Sequence, residues 1–193
     1  GAADRLRAAC ERTDLKGFTH YSGRGDDGSW YLSEEGAAFF DVAAEQRLIA
    51  SLSCPDPERL QPVLRQVAER FPEVSFLIHH LGLVKAAEEP PHPGLKALLD
   101  SARLPNVYVK LSGPYYVSCV PWEYPYSDCT RIVRSLYEHY GPDRLCWGSD
   151  WPVVRDAMNY RQSLEWLRGH CPFIPAAHVE RILGGNIERL LNT

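Results

Sequence analysis

Short apolar segments alternate with helical segments along the whole chain, and this alternation limits the possible folds more than any other feature. Strand-like segments recur about every 30 residues, at 15–21, 48–54, 74–82, 106–113 and 144–152. Segments with helical spacing of apolar residues cover 2–13, 33–46, 58–70, 94–103, 127–140, 156–169 and 175–192, the last broken at Gly184–Gly185. This pattern predicts βαβ units, hence an α/β fold with a parallel sheet. A doubly wound open sheet and a (β/α) barrel are both compatible with it.

Composition excludes several classes of protein. The chain has 193 residues, 45% hydrophobic and 24% charged, which is typical of one globular domain spanning 1–193. The 21 basic residues are fewer than the 25 acidic ones, so a nucleic acid partner is not expected. No apolar run approaches the roughly 20 residues that span a bilayer, and the first residues lack the apolar part of a signal peptide. We therefore expect neither a membrane partner nor a nucleic acid partner.

The six cysteines indicate a reducing compartment. They lie at positions 10, 54, 119, 129, 146 and 171, and no two form a Cys-x-x-Cys pair. This spacing is typical neither of a structural zinc site nor of a disulfide scaffold. We therefore expect free thiols and a cytoplasmic location.

Polar residues gather where the predicted strands end. These positions are His20 and Tyr21, Ser53 and Cys54, His79 and His80, Lys110 and Ser112, and Ser149 and Asp150. In parallel α/β folds, ligands bind at the carboxyl ends of the strands. Helices direct their positive N-termini to the same edge, which favours an anionic substrate or an oxyanion. The sequence thus predicts a binding or catalytic site at this edge.

The individual residues at this edge also have structural interpretations. His79 and His80 are adjacent on a strand, so we expect at most one to face the site while the other packs beneath a helix. Lys110 shares a strand face with Tyr108 and is predicted to be buried with a partner, unless its side chain extends to solvent. Asp150 is a candidate acid, or else a cap for the following helix.

The segment from Pro114 to Tyr126 is rich in tyrosine. Such a loop can cover a ring-shaped substrate or simply pack over a helix, and the sequence does not separate these two interpretations. The glycines at 23, 25 and 28 do not form a dinucleotide-binding motif, and no Walker motif is present. A nucleotide site is therefore not predicted.

Four segments together resemble one known family. Residues 76–82 read Phe-Leu-Ile-His-His-Leu-Gly, residues 105–113 read Pro-Asn-Val-Tyr-Val-Lys-Leu-Ser-Gly, and residues 148–152 read Gly-Ser-Asp-Trp-Pro. Residues 182–190 resemble a closing Gly-Gly-Asn-Ala-x-Arg-Leu helix. In this order, the segments are similar to the amidohydrolase-related family of metal-dependent TIM-barrel hydrolases, which includes sugar lactonases and the pyrone-dicarboxylate lactonase.

The resemblance implies roles for particular residues. Asp150 matches the family's general base or metal-proximal carboxylate, His80 matches the histidine of its Asp-His-x-Gly motif, and Lys110 matches the lysine of its Lys-x-Ser-Gly motif. His20 lies where such lactonases carry an arginine or histidine. The expected substrate-binding residues are His20, Ser112, Tyr115 and Trp151. A divalent metal such as zinc would take His80 and Asp150 as ligands.

Two departures from the family pattern affect the interpretation. His79 stands where the family has an aspartate, and the His-x-His of the family's first strand is absent. The five strands resemble the fourth to the eighth of a TIM barrel, a fold that typically needs ~250 residues. We therefore expect the C-terminal part of a TIM (β/α)₈ barrel, about five βα units, without its N-terminal strands.

The resemblance implies that the barrel opens a sugar or dicarboxylate lactone by water attack assisted by Asp150. Two alternatives remain open at this point: a metal-dependent decarboxylase of the same superfamily, and an inactive partial barrel. The expected partner is a small lactone or another anionic carbonyl compound. The sequence gives no indication of an oligomeric state.

Overall fold

The computed structural model describes residues 1–23 and 25–192, and its centre is a five-stranded parallel sheet. The strands are β1 (Gly17–Tyr21), β2 (Ile49–Ser53), β3 (Ser75–Ile78), β4 (Val107–Leu111) and β5 (Leu145–Trp147). Each strand pairs with the next one along the chain. All five carboxyl ends therefore lie at one edge of the sheet.

Helices connect the strands. They are α1 (Ala2–Arg12), α2 (Ser29–Leu32), α3 (Glu34–Glu45), α4 (Pro57–Arg70), α5 (Pro93–Asp100), α6 (Thr130–Tyr140), α7 (Tyr160–His170), α8 (Ala176–Glu180) and α9 (Asn186–Leu191). Short 3₁₀ helices cover His80–Leu83, Ser101–Arg103, Pro114–Tyr116, Ser127–Cys129, Pro142–Arg144 and Val153–Asp156. Within the described residues, no helix is both long and apolar enough to cross a membrane.

The order of the strands separates the two architectures that the sequence left open. The order is β1-β2-β3-β4-β5, so neighbours in the chain are neighbours in the sheet. A doubly wound sheet reverses its strand order at a switch point, whereas a barrel adds strands in sequence. The structure therefore has the topology of consecutive βα units of a barrel.

The two faces of the sheet differ in what covers them. The outer face packs against the helices and forms the main apolar core, in which the Phe40 ring stacks on Phe71 at 5.6 Å and lies tilted against Phe76 at 5.7 Å. The inner face carries a small apolar cluster of Ile49, Leu77, Cys146 and Leu190. Because apolar burial is concentrated outside, the inner face near the carboxyl edge can hold polar side chains.

The elements differ from the sequence prediction mainly at their ends. β3 ends at Ile78 and β5 at Trp147, several residues before the predicted ends at 82 and 152. The helix Ser29–Leu32 was not predicted, because glycine and polar residues surround it. The predicted break at Gly184–Gly185 takes the form of a π-helical turn: α8 ends at Glu180, the turn covers Arg181–Gly185, and α9 follows it directly.

Asn106 connects three elements beneath the sheet. Its side-chain amide is buried and donates to the carbonyl oxygens of Ala68 at 3.0 Å, Phe71 at 3.2 Å and Val74 at 3.1 Å. These carbonyls belong to the end of α4 and the turn that leads into β3. One amide thus fixes the approach of β3 to β4, and with it the position of both carboxyl ends.

Replacing Asn106 with alanine is expected to lower the free energy of unfolding by about 2–3 kcal/mol, because buried carbonyls lose their donor. Urea denaturation followed by circular dichroism measures this change. Asn192→Ala is the matched control: its amide also donates to a carbonyl, that of Glu188, but at an exposed site. Equal, small losses in the two variants would contradict the proposed connection.

Candidate active site

His79 and His80 both belong to one polar network at the end of β3. The backbone N–H of His79 still bonds to Leu52 O at 2.9 Å, but His80 and Leu81 have φ values of 46° and 55°. The two imidazole rings lie 5.2 Å apart. The expectation that one histidine would pack beneath a helix is wrong, because strand alternation ends before His80 and the left-handed turn redirects its side chain.

Asp150 faces His80 across the carboxyl edge. Its Oδ1 lies 3.8 Å from His80 Nε2, and the side chains of the two residues are only 18% and 12% exposed. The Tyr115 hydroxyl donates to the other carboxylate oxygen, Oδ2. The carboxylate is therefore bound on one side by a phenol and faces an imidazole on the other.

Ser112 orients the His80 ring. Its Oγ lies 3.0 Å from His80 Nδ1, and the residue is 2% exposed. The next residue, Gly113, has φ 56°, and a Cβ there would come within 2.8 Å of His80 Nδ1. Ser112 was expected to bind substrate, but its buried hydroxyl contacts His80, which favours a positioning role.

Burial sets the charge of His80. Removal from water lowers the pKa of His80, while the carboxylate of Asp150 opposes that shift and the Lys110 ammonium adds to it. A neutral imidazole is therefore favoured. Because a carboxylate only accepts hydrogen bonds, a neutral His80 whose Nε2 carries the proton is the tautomer that suits Asp150.

Lys110 lies on the inner face beside the same network. Its ammonium donates to Ser51 Oγ at 3.3 Å, and Ser51 Oγ is 2.6 Å from His79 Nε2. Burial lowers the pKa of Lys110, which the carboxylate of Asp150 partly offsets. Gly148 gives the lysine room, since a Cβ there would be 3.0 Å from Lys110 Cδ.

His79 is the most deeply buried ionisable group of the network. It is 3% exposed, and within residues 1–23 and 25–192 its Nδ1 has no hydrogen-bond partner. Burial, with the charges of Lys110 and His80, lowers the pKa of His79 to about 3. A buried polar atom without a partner costs about 1–3 kcal/mol, so packing alone does not explain a histidine here.

Aromatic rings cover the network. Tyr115 and Tyr116 come from one 3₁₀ turn, with ring centroids 4.5 Å apart, and Tyr116 lies 4.9 Å from the His80 ring. Burial and the neighbouring carboxylate raise the pKa of Tyr115 far above its usual range. Tyr115 therefore stays protonated and keeps its hydrogen bond to Asp150. Beneath the network, Lys110 and Ser51 also line an inner-face cavity of about 390 Å³.

Two of the expected substrate-binding residues lie elsewhere. His20 stacks on Trp30 at 5.8 Å and meets the edge of Tyr31 on the outer side of β1. Strand alternation explains this, because His20 shares a face with Phe18, which packs into the outer core. Trp151 is 54% exposed and contacts Arg155 and Tyr160. The structure does not bring either residue to the network.

Two residues of the network, Ser51 and Tyr116, were not predicted individually from the sequence. Ser51 lies in the middle of an apolar strand, on the inner face together with Ile49. A small polar residue at an inward position of a buried strand is the signal that marks Ser51 in the sequence. Tyr116 was one of several tyrosines in the loop, and sequence alone does not show which of them reaches His80.

The donor atoms of the network are too few to complete a metal site. With its proton moved to Nδ1, His80 would offer Nε2 as a donor, and this atom lies 3.8 Å from a second donor, Asp150 Oδ1. No group of three His, Cys, Asp or Glu side chains suited to a metal ion occurs in the part of the chain that the structure describes. A catalytic zinc site usually has three protein ligands, so these residues by themselves do not complete one.

The fold and the site together are those of an enzyme of the barrel class. Its βα units have barrel topology, and an acid, an imidazole and an ammonium lie at the carboxyl edge of the strands. A family model described as amidohydrolase matches residues 1–193, and the chain belongs to this family. The fold is thus the five-βα-unit part of a TIM barrel.

Comparisons with known proteins agree with this assignment. The chain is 33% identical to an L-fucono-1,5-lactonase of Burkholderia ambifaria over 132 residues, covering 65% of this chain and 44% of that protein. It is 30% identical to a 4-sulfomuconolactone hydrolase of Hydrogenophaga intermedia over 125 residues, covering 62% and 40%. The chain thus spans about half the length of the curated relatives it matches, or less.

Solved structures show the same fold. An amidohydrolase of Burkholderia multivorans with bound Hepes matches with a TM-score of 0.83 at 23% identity, covering 98% of this chain and 69% of that one. An amidohydrolase structure from the same species with bound zinc matches at 0.81 and 22% identity, covering 100% and 71%. At these identities the match concerns the fold alone.

The buried His79 makes stability depend on pH. In the unfolded chain a histidine takes up a proton below pH about 6.5, whereas folded His79 stays neutral down to about 3. The unfolded state therefore binds more protons as the pH falls, and stability is lost. When the pH is lowered from 7.5 to 5, the free energy of unfolding of the wild type is expected to fall by about 2 kcal/mol more than that of His79→Phe.

Urea denaturation at both pH values, with EDTA present, measures this difference. His139→Phe, at an exposed site on α6, is the matched control and should follow the wild type. Parallel losses in the wild type and in His79→Phe would show that folded His79 is protonated like an exposed histidine.

Proposed function

We propose that this chain carries the catalytic residues of a lactone hydrolase. The observation that carries the proposal is the position of Asp150, which faces His80 at 3.8 Å and accepts a hydrogen bond from Tyr115. The names of the relatives, an L-fucono-1,5-lactonase and a 4-sulfomuconolactone hydrolase, support a cyclic ester as the substrate. A small molecule of this kind suits a site at the carboxyl edge of barrel strands.

Asp150 acts as the general base in this proposal. A water molecule near Oδ1 attacks the lactone carbonyl carbon while Asp150 takes one of its protons. Since Tyr115 holds Oδ2, the base presents a fixed oxygen to the water. The new C–O bond pushes the carbonyl electron pair onto oxygen, which forms a tetrahedral oxyanion.

Lys110 and His80 stabilise this oxyanion. A preorganised ammonium and an imidazole N–H are donors that gain strength in a site with little water. The ring C–O bond then breaks, and the departing alkoxide receives the proton that Asp150 had taken. The products are a carboxylic acid and a free hydroxyl in one open chain, and the enzyme returns to its starting protonation state.

The proposed reaction does not require a divalent metal, but the chain offers donor atoms that a metal would use. A related amidohydrolase was solved with bound zinc. His80 and Asp150 would supply two ligands in this chain, and a bound metal would polarise the carbonyl as a Lewis acid. The steps above use only side chains of this protein.

We also propose that the complete barrel contains strands before β1, and that the protein is cytoplasmic.

Asp150→Asn is expected to lower kcat for lactone hydrolysis about 100- to 10,000-fold, because an amide takes no proton from water and general-base catalysis contributes a factor of that size. The assay follows acid release from L-fucono-1,5-lactone and from a carboxylated lactone, each with EDTA and with added zinc. Asp156→Asn, on the same connection but exposed, is the matched control and should keep wild-type activity.

Two results would refute the lactonase proposal. One is near-normal turnover by Asp150→Asn. The other is a wild-type protein that hydrolyses none of the lactones under any metal condition. Release of carbon dioxide from an aromatic acid in the same preparation would favour the decarboxylase alternative.

Tyr115→Phe is expected to lower kcat roughly tenfold with little change in stability, because one charge-assisted hydrogen bond to the base is lost. Steady-state kinetics and thermal denaturation measure the two effects. The control is Tyr160→Phe, whose ring is 48% exposed. If Tyr115→Phe and the control have equal kcat values, Tyr115 does not orient the base.

A further inference from the structure

Three side chains form a hydrogen-bonded chain across the inner face of the sheet. Lys110 of β4 donates to Ser51 Oγ of β2 at 3.3 Å, and Ser51 Oγ lies 2.6 Å from Nε2 of His79, which follows β3. They come from three neighbouring strands, so sheet geometry fixes their relative positions. This series of hydrogen bonds connects the buried imidazole of His79 to the Lys110 ammonium, which the proposed reaction uses.

Ser51 is the link on which the ammonium depends. An ammonium group only donates hydrogen bonds, so the Ser51 oxygen must accept. Among the described residues, Ser51 Oγ is the one hydrogen-bond partner of Lys110 Nζ, and the Asp150 carboxylate acts on the ammonium through its charge without a direct ion pair. Without Ser51, a long flexible side chain would keep no fixed direction.

His79 holds Ser51 in turn. Its Nε2 shares a short hydrogen bond with the serine hydroxyl, while its Nδ1 is buried without a partner. A histidine kept for packing would satisfy both nitrogens or be replaced by an apolar side chain such as Leu77 beside it. Buried polar atoms without a partner, which lower stability, occur mainly at functional sites, because the geometry of the site requires those residues.

We propose that Ser51 and His79 are positioning residues that direct the Lys110 ammonium at the carbonyl oxygen of the substrate. The proposal rests on the lactonase function, because that function gives Lys110 its task. A donor that is already oriented needs no reorganisation as charge develops, so it acts in the transition state more than in the bound substrate. Loss of the orientation should therefore affect kcat more than KM.

Ser51→Ala removes the acceptor with little change in volume. We expect kcat to fall about tenfold while KM stays within about twofold, and Ser51→Thr, which restores a hydroxyl, to recover kcat to within about threefold. Ser75→Ala, at the opposite end of β3, is the matched control and should behave as the wild type. An unchanged kcat in Ser51→Ala, or a rise in KM alone, would overturn the proposal.

His79 is tested with two variants. His79→Phe removes the ring nitrogen and should resemble Ser51→Ala, whereas His79→Gln keeps a group that can bond to Ser51 and should recover part of kcat. Equal kcat values for the two variants would contradict a role for His79. If His79→Phe does not fold, the comparison of Ser51→Ala with Ser51→Thr still decides the proposal.

A spectroscopic measurement separates this proposal from the lactonase function. In protein labelled with ¹⁵N-lysine, a held ammonium gives its own ¹H–¹⁵N signal, which Lys110→Met identifies by its disappearance. The signal should broaden or vanish in Ser51→Ala and return in Ser51→Thr, whether or not any lactone is hydrolysed. A Lys110 signal that is unchanged in Ser51→Ala would refute the positioning role even if the enzyme is a lactonase.

Discussion

The parallel hydrogen-bond ladder that joins β1 to β5 in sequence order is the constraint on which the site depends. Because each strand pairs with its neighbour in the chain, the carboxyl ends of all five strands, from Tyr21 to Trp147, lie at one edge. Helices cover one face and take most of the apolar surface, which leaves the other face for polar groups. The network of Ser51, His79, His80, Lys110 and Asp150 forms on that second face.

Burial of a few ionisable side chains determines the protonation states in the site. Two imidazoles have lowered pKa values because burial disfavours their charged forms, and the Lys110 pKa falls for the same reason. Asp150 opposes these shifts at His80 and Lys110. The result is a carboxylate beside a neutral ring, together with an ammonium that has a single hydrogen-bond partner among the residues that the structure describes. Such a set accepts a proton and stabilises a developing negative charge, as the opening of an ester requires.

The sequence predicted the fold well and the site in part. Periodicity located all five strands, and the polar residues at their ends located the edge that carries Lys110, His80 and Asp150. Alternation failed at His80, where a left-handed turn follows the strand, because local backbone conformation is not visible in residue type. For His20, proximity to a strand end suggested a role in binding, but the side on which a side chain lies depends on register. Ser51 needed the spacing of three strands to be recognised.

The backbone at Asp150 has a consequence for the chemistry of the acid itself. Its φ of 56° lies in the left-handed region, which costs most residues roughly 1–2 kcal/mol but which aspartate and asparagine tolerate better through their short polar side chains. Glutamate would meet this strain and would also move its carboxylate one methylene farther from the chain. The backbone conformation at position 150 thus favours aspartate over glutamate as the general base, independently of any substrate.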